Sequence, residues 1–170
     1  MPRSEMSSGV PREVPDVSDL LQQLFRRSWS PLNEAYTRLS ESRYPGVYVI
    51  AYSTERLAGQ VIKEDQIFYV GVTHAGIGKR LRQFLQGIED CKHHSGAERF
   101  FITVGHGKPY SAIADKKNFF IASISVPCNC LKSERSPKDL RIMGIVAQLE
   151  WYVLARVKEI SKQEPSLNKK

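Results

Sequence analysis

The chain is poor in the features that mark several large protein classes. It holds three cysteines in 170 residues, Cys91, Cys128 and Cys130. An odd count without paired spacing excludes a disulfide scaffold and a zinc-ribbon site, and reads as free thiols in a reducing compartment. No apolar run approaches the ~18 residues of a membrane span, and the polar N-terminus carries no signal-peptide core. These absences point to a soluble, cytoplasmic (intracellular) chain with no membrane partner. No internal repeat or low-complexity segment is present, which sets aside solenoids and fibrous arrays. His74, His93, His94 and His106 show no helical metal-ligand spacing, and Gly76-x-Gly78 alone is no nucleotide loop.

What is present in excess is positive charge. Lys and Arg number 25 against 18 Asp and Glu, giving a formal net charge of +7 and a pI of about 9.4. That balance favours a polyanionic partner such as nucleic acid. The length suits one domain with a core and is too short for two comfortable ones.

Residues 1–15 carry Pro, Ser and Gly with little apolar content and read as a disordered tail. Residues 16–44 read as a helical extension, which would assist dimerisation or DNA contact. Its first helix, at 17–25, has Leu20, Leu21 and Phe25 as an apolar face. Its second, at 32–39, is preceded by Ser30 as N-cap and Pro31 at the first helical position. Residues 45–170 form the remaining domain. Strands are expected at 47–52, 66–71 and 119–126, the first two as an antiparallel hairpin with a long polar connection. Gly76 and Gly78 open a helix whose Leu81, Phe84, Leu85 and Ile88 fall at i, i+3, i+4 and i+7. The run 100–104 fits strand or helix, and 105–117 reads as a flexible loop. Ser136, Pro137 and Asp139 supply a cap, a first-turn proline and a first-turn acid for a long helix reaching about residue 160.

On a wheel of about 100° per residue, Ile142, Val146, Leu149, Val153 and Val157 of that helix form one stripe, with Met143 and Leu154 beside it. Glu150 falls inside the stripe, whereas Arg141, Gln148, Lys158 and Glu159 take the solvated face. A carboxylate facing a core is costly unless paired or bound to a cation. It is therefore a buried ion pair, an edge position open to water, or a hard-oxygen ligand for Mg²⁺ or Mn²⁺. Arg80 borders its own helix stripe, as a snorkelling side chain or as a guanidinium aimed at a phosphate. Lys79 and Arg82, with Lys108 in the basic loop, are a solvated basic surface or contacts to a nucleic-acid backbone. Tyr48 and Tyr69, read from the residues alone, are strand aromatics filling the core. Cys128-Asn129-Cys130 is too close-spaced to define a site.

Gly46-Val47-Tyr48, Tyr69-Val70-Gly71, the Lys79-Arg80-Leu81-Arg82-Gln83-Phe84 run, Gln148-Leu149-Glu150 and Pro165-Ser166-Leu167-Asn168 occur in this order. Together they resemble the signatures of the GIY-YIG nuclease superfamily across residues 46–168. The resemblance implies an α/β (α+β) domain with a three-stranded antiparallel sheet flanked by helices. It also implies an endonuclease that hydrolyses DNA phosphodiester bonds with one divalent cation, Mg²⁺ or Mn²⁺. In that frame Glu150 holds the metal and Arg80 neutralises transition-state charge. Tyr48 takes the proton of the attacking water, Tyr69 orients water or phosphate, and Asn168 braces the site. A tyrosine base near neutral pH needs its pKa of ~10 lowered, a task expected of Arg80 and the metal.

Two positions depart from the family pattern. Phe84 stands where relatives carry a relay His or Tyr, and Val72 where several carry Lys. His94 is the expected substitute for the relay, with His74 next. The interval from Arg80 to Glu150 is long for the family, and is attributed to loops at 105–117 and 127–136. The expectation is a stand-alone, restriction-type nuclease that cuts both strands as a homodimer or in two successive events. The alternative is a catalytically degenerate relative that binds nucleic acid without cutting it.

Overall fold

Alternation along the strand at 46–53 divides its side chains between two faces, and that division organises the rest of the chain. The computed structural model describes residues 14–38, 43–113 and 117–168. Its elements in chain order are α1 (Val17–Phe25), β1 (Ser30–Pro31), α2 (Leu32–Arg38), β2 (Gly46–Ser53), β3 (Tyr69–Thr73), α3 (Ile77–Asp90), α4 (Ser95–Thr103), β4 (Asn118–Ser125) and α5 (Pro137–Ser161). The architecture is mixed α+β, around an antiparallel sheet ordered β1-β4-β2-β3.

From β2, Val47, Val49 and Ala51 join one apolar core with Leu20, Leu24 and Phe25 of α1 and the buried stripe of α5. Tyr48 and Ile50 join the other core, with Leu81, Phe84 and Ile88 of α3 and Ala97 and Phe100 of α4. The sheet is thus covered on both faces, and each fully buried aliphatic or aromatic side chain contributes about 1.5–3 kcal/mol. The α5 stripe consists of Ile142, Val146, Leu149, Val153 and Val157, all buried, as the wheel predicts. Its N-terminus carries a capping box: the Asp139 N–H donates to Ser136 Oγ, the Ser136 N–H donates to Asp139 Oδ2, and Pro137 sits in the first turn.

The sheet has four strands where three are expected. Ser30 and Pro31 pair with Ile121 and Phe120 of β4. A Ser-Pro pair carries the signature of a helix start, and the helix does start one residue later, at Leu32. Pro31 is tolerated because β1 is an edge strand. The second long strand is shifted from 66–71 to Tyr69–Thr73, because residues Glu64–Gln66 form a 3₁₀ turn. The ambiguous run 100–104 belongs to α4, which begins at Ser95. Part of the 105–117 loop forms a 3₁₀ turn at Tyr110–Ala112. The expected disordered tail falls mostly at 1–13, and the end of the second helix at 39; both lie outside the described residues. Among the described residues no helix is long and apolar enough to cross a membrane.

Candidate active site

Tyr48 of β2 stands directly opposite Gly71 of β3 in the antiparallel register. A Cβ on Gly71 would fall into the Tyr48 phenol ring, so this glycine clears the space that the tyrosine occupies. Gly96 does the same for Tyr69, since a Cβ there would stand 2.7 Å from the Tyr69 ring. The two rings lie side by side with centroids 6.1 Å apart. Tyr48 is fully buried and Tyr69 is 7% exposed, so of the two only Tyr69 touches the surface.

His94 is the N-cap of α4. Its Nδ1 accepts from the backbone N–H groups of Gly96 and Ala97, at 3.1 and 3.3 Å. Those two donors fix the proton of the neutral ring on Nε2. Nε2 in turn lies 2.7 Å from the Tyr48 hydroxyl. His94 therefore meets Tyr48 as a hydrogen-bond donor, not as the proton acceptor that a relay would need. Burial, assisted by the nearby Arg80 charge, depresses its pKa from 6.5 to about 3, so the ring is neutral at physiological pH.

Phe84 is fully buried and packs edge-on against His94 with centroids 5.1 Å apart, and stacks on Tyr69 at 6.3 Å. Phe84 is thus a wall of the tyrosine cluster. Arg80, one turn earlier on α3, is half-buried; its Nη1 donates to Gln83 Oε1 at 3.0 Å and to the His93 carbonyl at 3.5 Å.

Burial holds both phenols above their ordinary value and outweighs the opposing pull of Arg80. Arg80 pulls in the expected direction, but its charge alone does not offset burial. The two tyrosines are not equivalent. For Tyr48, burial and the neighbouring Tyr69 push the pKa well up, while Arg80 pulls it down. For Tyr69, burial pushes up, whereas Arg80 and hydrogen bonding from Ser95 and Tyr48 pull down; the charge of Glu150 opposes them. Tyr69 is the more easily ionised of the pair.

Glu150 is half-buried at the margin of the α5 stripe. It is thus not fully enclosed by the core, although the wheel places it inside the apolar stripe. It opens on a cavity of about 570 Å³ together with Trp151, Leu154, Lys158, Gln163, Glu164 and Asn168. Asn168 closes the free edge of β3: the Val70 N–H donates to its Oδ1 at 2.8 Å, and its Nδ2 donates to the Val70 carbonyl at 2.7 Å. An unpaired strand edge is thereby satisfied between Tyr69 and Gly71. Among the described residues no group of three or more His, Cys, Asp or Glu side chains converges as a metal cage. Two carboxylates line this open cavity, Glu150 and the Lys158-paired Glu164. Such a sparse donor set fits Mg²⁺, which keeps several waters and takes one or two carboxylates plus substrate oxygens.

Tyr48, Tyr69 and His94 thus cluster on the α3/α4 face of the sheet, with the Arg80 charge close to both phenols. Asn168 sits on the β3 edge, and Glu150 of α5, which packs on the opposite face, is near enough for its charge to act on Tyr69. Lys79 is exposed and lines a cleft of about 250 Å³ with Arg80, Val72, His74 and Gln83. Arg82 is exposed on α3. Lys108 lies past the C-terminal end of α4, the end opposite His94, and outside this cluster. His74 is exposed, and its Nε2 lies 3.2 Å from the Met143 carbonyl of α5. Ser95, Gly96 and Gln83 complete the site without having been singled out in the sequence. The small pair Ser95-Gly96 after His94 is the signal that marks a tight helix start there. A larger cavity, about 800 Å³, lies elsewhere, lined by Leu32, Leu85, Tyr110 and Phe119 together with Glu34, Arg56 and Glu89. No protein-family profile matches the chain, and no curated protein or solved structure shows significant similarity to it.

Proposed function

We propose that this chain is a divalent-metal-dependent endonuclease of GIY-YIG type that hydrolyses DNA phosphodiester bonds. The observation that supports the reading is that the charges of Arg80 and Glu150 both act on Tyr69, beside Tyr48 and strand β3, in a chain of net charge +7. Glu150 would hold Mg²⁺ or Mn²⁺, which supplies polarisation of the scissile phosphate and charge for the leaving oxygen. Arg80 faces the anion that develops on the phosphoryl oxygens. Tyr69, at the surface and the more easily ionised phenol, accepts the proton of the attacking water. Tyr48 occupies the position behind it, donating to Tyr69 while accepting from His94. The order His94 to Tyr48 to Tyr69 aims successive donors at the oxygen that carries negative charge once Tyr69 ionises. This assignment exchanges the roles that the resemblance gives the two tyrosines. It also gives His94 a use that needs no proton acceptor at Phe84. Asn168 holds the β3 backbone in register beneath Tyr69.

A second reading, nucleic-acid binding without hydrolysis, is favoured by one observation: both phenols are raised rather than lowered. Supercoiled plasmid incubated with the full chain separates the two. Nicked or linear product that requires Mg²⁺ or Mn²⁺ and disappears in EDTA supports hydrolysis. Binding without any product supports the second reading.

A further inference from the structure

Beside Glu150 stands an indole that the chemistry above does not use. Trp151 is 62% exposed, the largest side chain on the outer surface of α5. Trp151, Leu154 and Lys158 recur at i, i+3 and i+7, so they form one helical face. That face lines the same cavity as Glu150 and Asn168, about 570 Å³, within the ~300–1,000 Å³ of small-ligand sites. The buried Trp29, 1% exposed, shows what the fold does with an indole that serves the core.

We propose that Trp151 is a stacking platform for an unpaired nucleobase, and that the substrate presents a single-stranded or gapped nucleotide beside the phosphate held at Glu150. The proposal rests on the nuclease reading and names its substrate class. Every base offers a π-face, and aromatic side chains are a usual means of holding a single strand. The basic group of this cavity is Lys158, beside Glu150 and Glu164, in a chain of net charge +7. In an intact duplex those faces are covered by neighbouring bases, and only base edges and phosphates are presented. An exposed indole one residue from the carboxylate matches an open base face and not a paired one. A second copy of the chain is the less suitable occupant, because the surface is a concavity shared with Glu150 and rimmed by Gln163 and the Lys158–Glu164 ion pair.

The test uses the full chain with Ca²⁺ in place of Mg²⁺, titrated with a single-stranded oligonucleotide, the same sequence as a duplex, and a duplex with a one-nucleotide gap. Tryptophan emission is read together with the anisotropy of end-labelled DNA. The single-stranded and gapped forms are expected to quench the solvent-exposed emission, and the intact duplex to leave it nearly unchanged. Trp151→Ala should weaken binding of single-stranded and gapped DNA about 10-fold or more, the range expected for one stacked base. Trp151→Phe should retain most of that affinity. With Mg²⁺, wild type should cut gapped DNA in preference to intact duplex, and Trp151→Ala should lose the preference. If Trp151→Ala binds and cuts the three DNAs in wild-type ratios while both proteins are active, the platform is overturned and the nuclease reading stands. Sedimentation showing a dimer that Trp151→Ala dissociates, with DNA binding unchanged, overturns the platform in favour of self-association. Wild type that neither binds nor cuts any of the three overturns the nuclease reading itself.

Discussion

His94 Nε2 and the Tyr48 hydroxyl stand 2.7 Å apart in the interior, and two backbone N–H groups on Nδ1 make the imidazole the donor of the pair. The start of α4 thereby sets the tautomer of a ring that touches a strand on the other side of the cluster. A neutral donor on a phenol oxygen stabilises the ionised phenol without adding a competing base. The consequences can be measured with no assumption about the reaction.

Stability should fall on mild acidification. The folded-state pKa of His94 is about 3, below the 6.5 of the free side chain. Between those values the unfolded chain binds a proton that the native state refuses. The contribution is therefore complete above about pH 6.5 and is lost as pH falls towards 3. At about 1.4 kcal/mol per pH unit the loss is on the order of 5 kcal/mol. His94→Asn keeps a good N-cap but does not titrate. Urea unfolding of both proteins between pH 7 and 4 should give a clearly shallower slope for the variant; equal slopes would remove His94 as the buried neutral group.

Gly71→Ala and Gly96→Ala should each destabilise the fold by about 1–3 kcal/mol, because the added methyl enters the space of Tyr48 or of Tyr69. Gly59→Ala is a different case: its φ is +83° and no atom lies near, so its cost is conformational. Adding Tyr48→Phe should relieve Gly71→Ala only slightly, since both the ring carbons and the hydroxyl occupy the space. Chemical denaturation of the single and double variants measures this.

Asn168→Ala removes both bonds to the Val70 backbone and should cost about 1–3 kcal/mol. Asn168→Asp should be at least as damaging near neutral pH, because a carboxylate cannot donate to the Val70 carbonyl. Hydrogen exchange at the Val70 amide should accelerate in Asn168→Ala, which removes its acceptor, and less in Asn168→Asp, which keeps one. An unchanged exchange rate would mean that the C-terminal segment does not hold β3.

On the nuclease reading the two tyrosines separate kinetically. Tyr69→Phe should lower the cleavage rate by about 100-fold or more, as expected for loss of a general base. Tyr48→Phe should lower it less and should displace the pH–rate profile to higher pH, because one donor to Tyr69 is gone. Equal losses with unshifted profiles would return the base to Tyr48 or remove both from proton transfer.

Much of this architecture is legible in the chain. The α5 stripe, the Ser136 capping box and the apolar positions of α3 follow from periodicity and cap chemistry that local sequence controls. What periodicity cannot carry is lateral pairing. Ser30-Pro31 spells a helix start, yet those two residues hydrogen-bond to a strand some ninety positions later. The run 100–104 is too short for a period to emerge, and the element is decided by His94 capping its beginning, an uncommon use of histidine. In the site, residue types and order point to Tyr48, Tyr69, Arg80, Glu150 and Asn168. Their protonation does not follow from order, because it depends on burial and on which nitrogen of His94 faces Tyr48. The wheel puts Glu150 within the stripe, but α5 meets the sheet beside the β3 edge, which leaves that position half-open.

The central claim is that Arg80 and Glu150 act on one phosphate at the β3 edge. Its most direct measurement is the Mg²⁺-dependent nicking rate of supercoiled plasmid by wild type, Arg80→Ala and Glu150→Gln. All three are first shown by circular dichroism and thermal unfolding to be folded alike. The account predicts nicking by wild type and a loss of about 100- to 1,000-fold or more in each variant, the scale on which single charge-stabilising groups act. Wild type that nicks nothing with either Mg²⁺ or Mn²⁺, or variants that nick as fast as wild type, would contradict it.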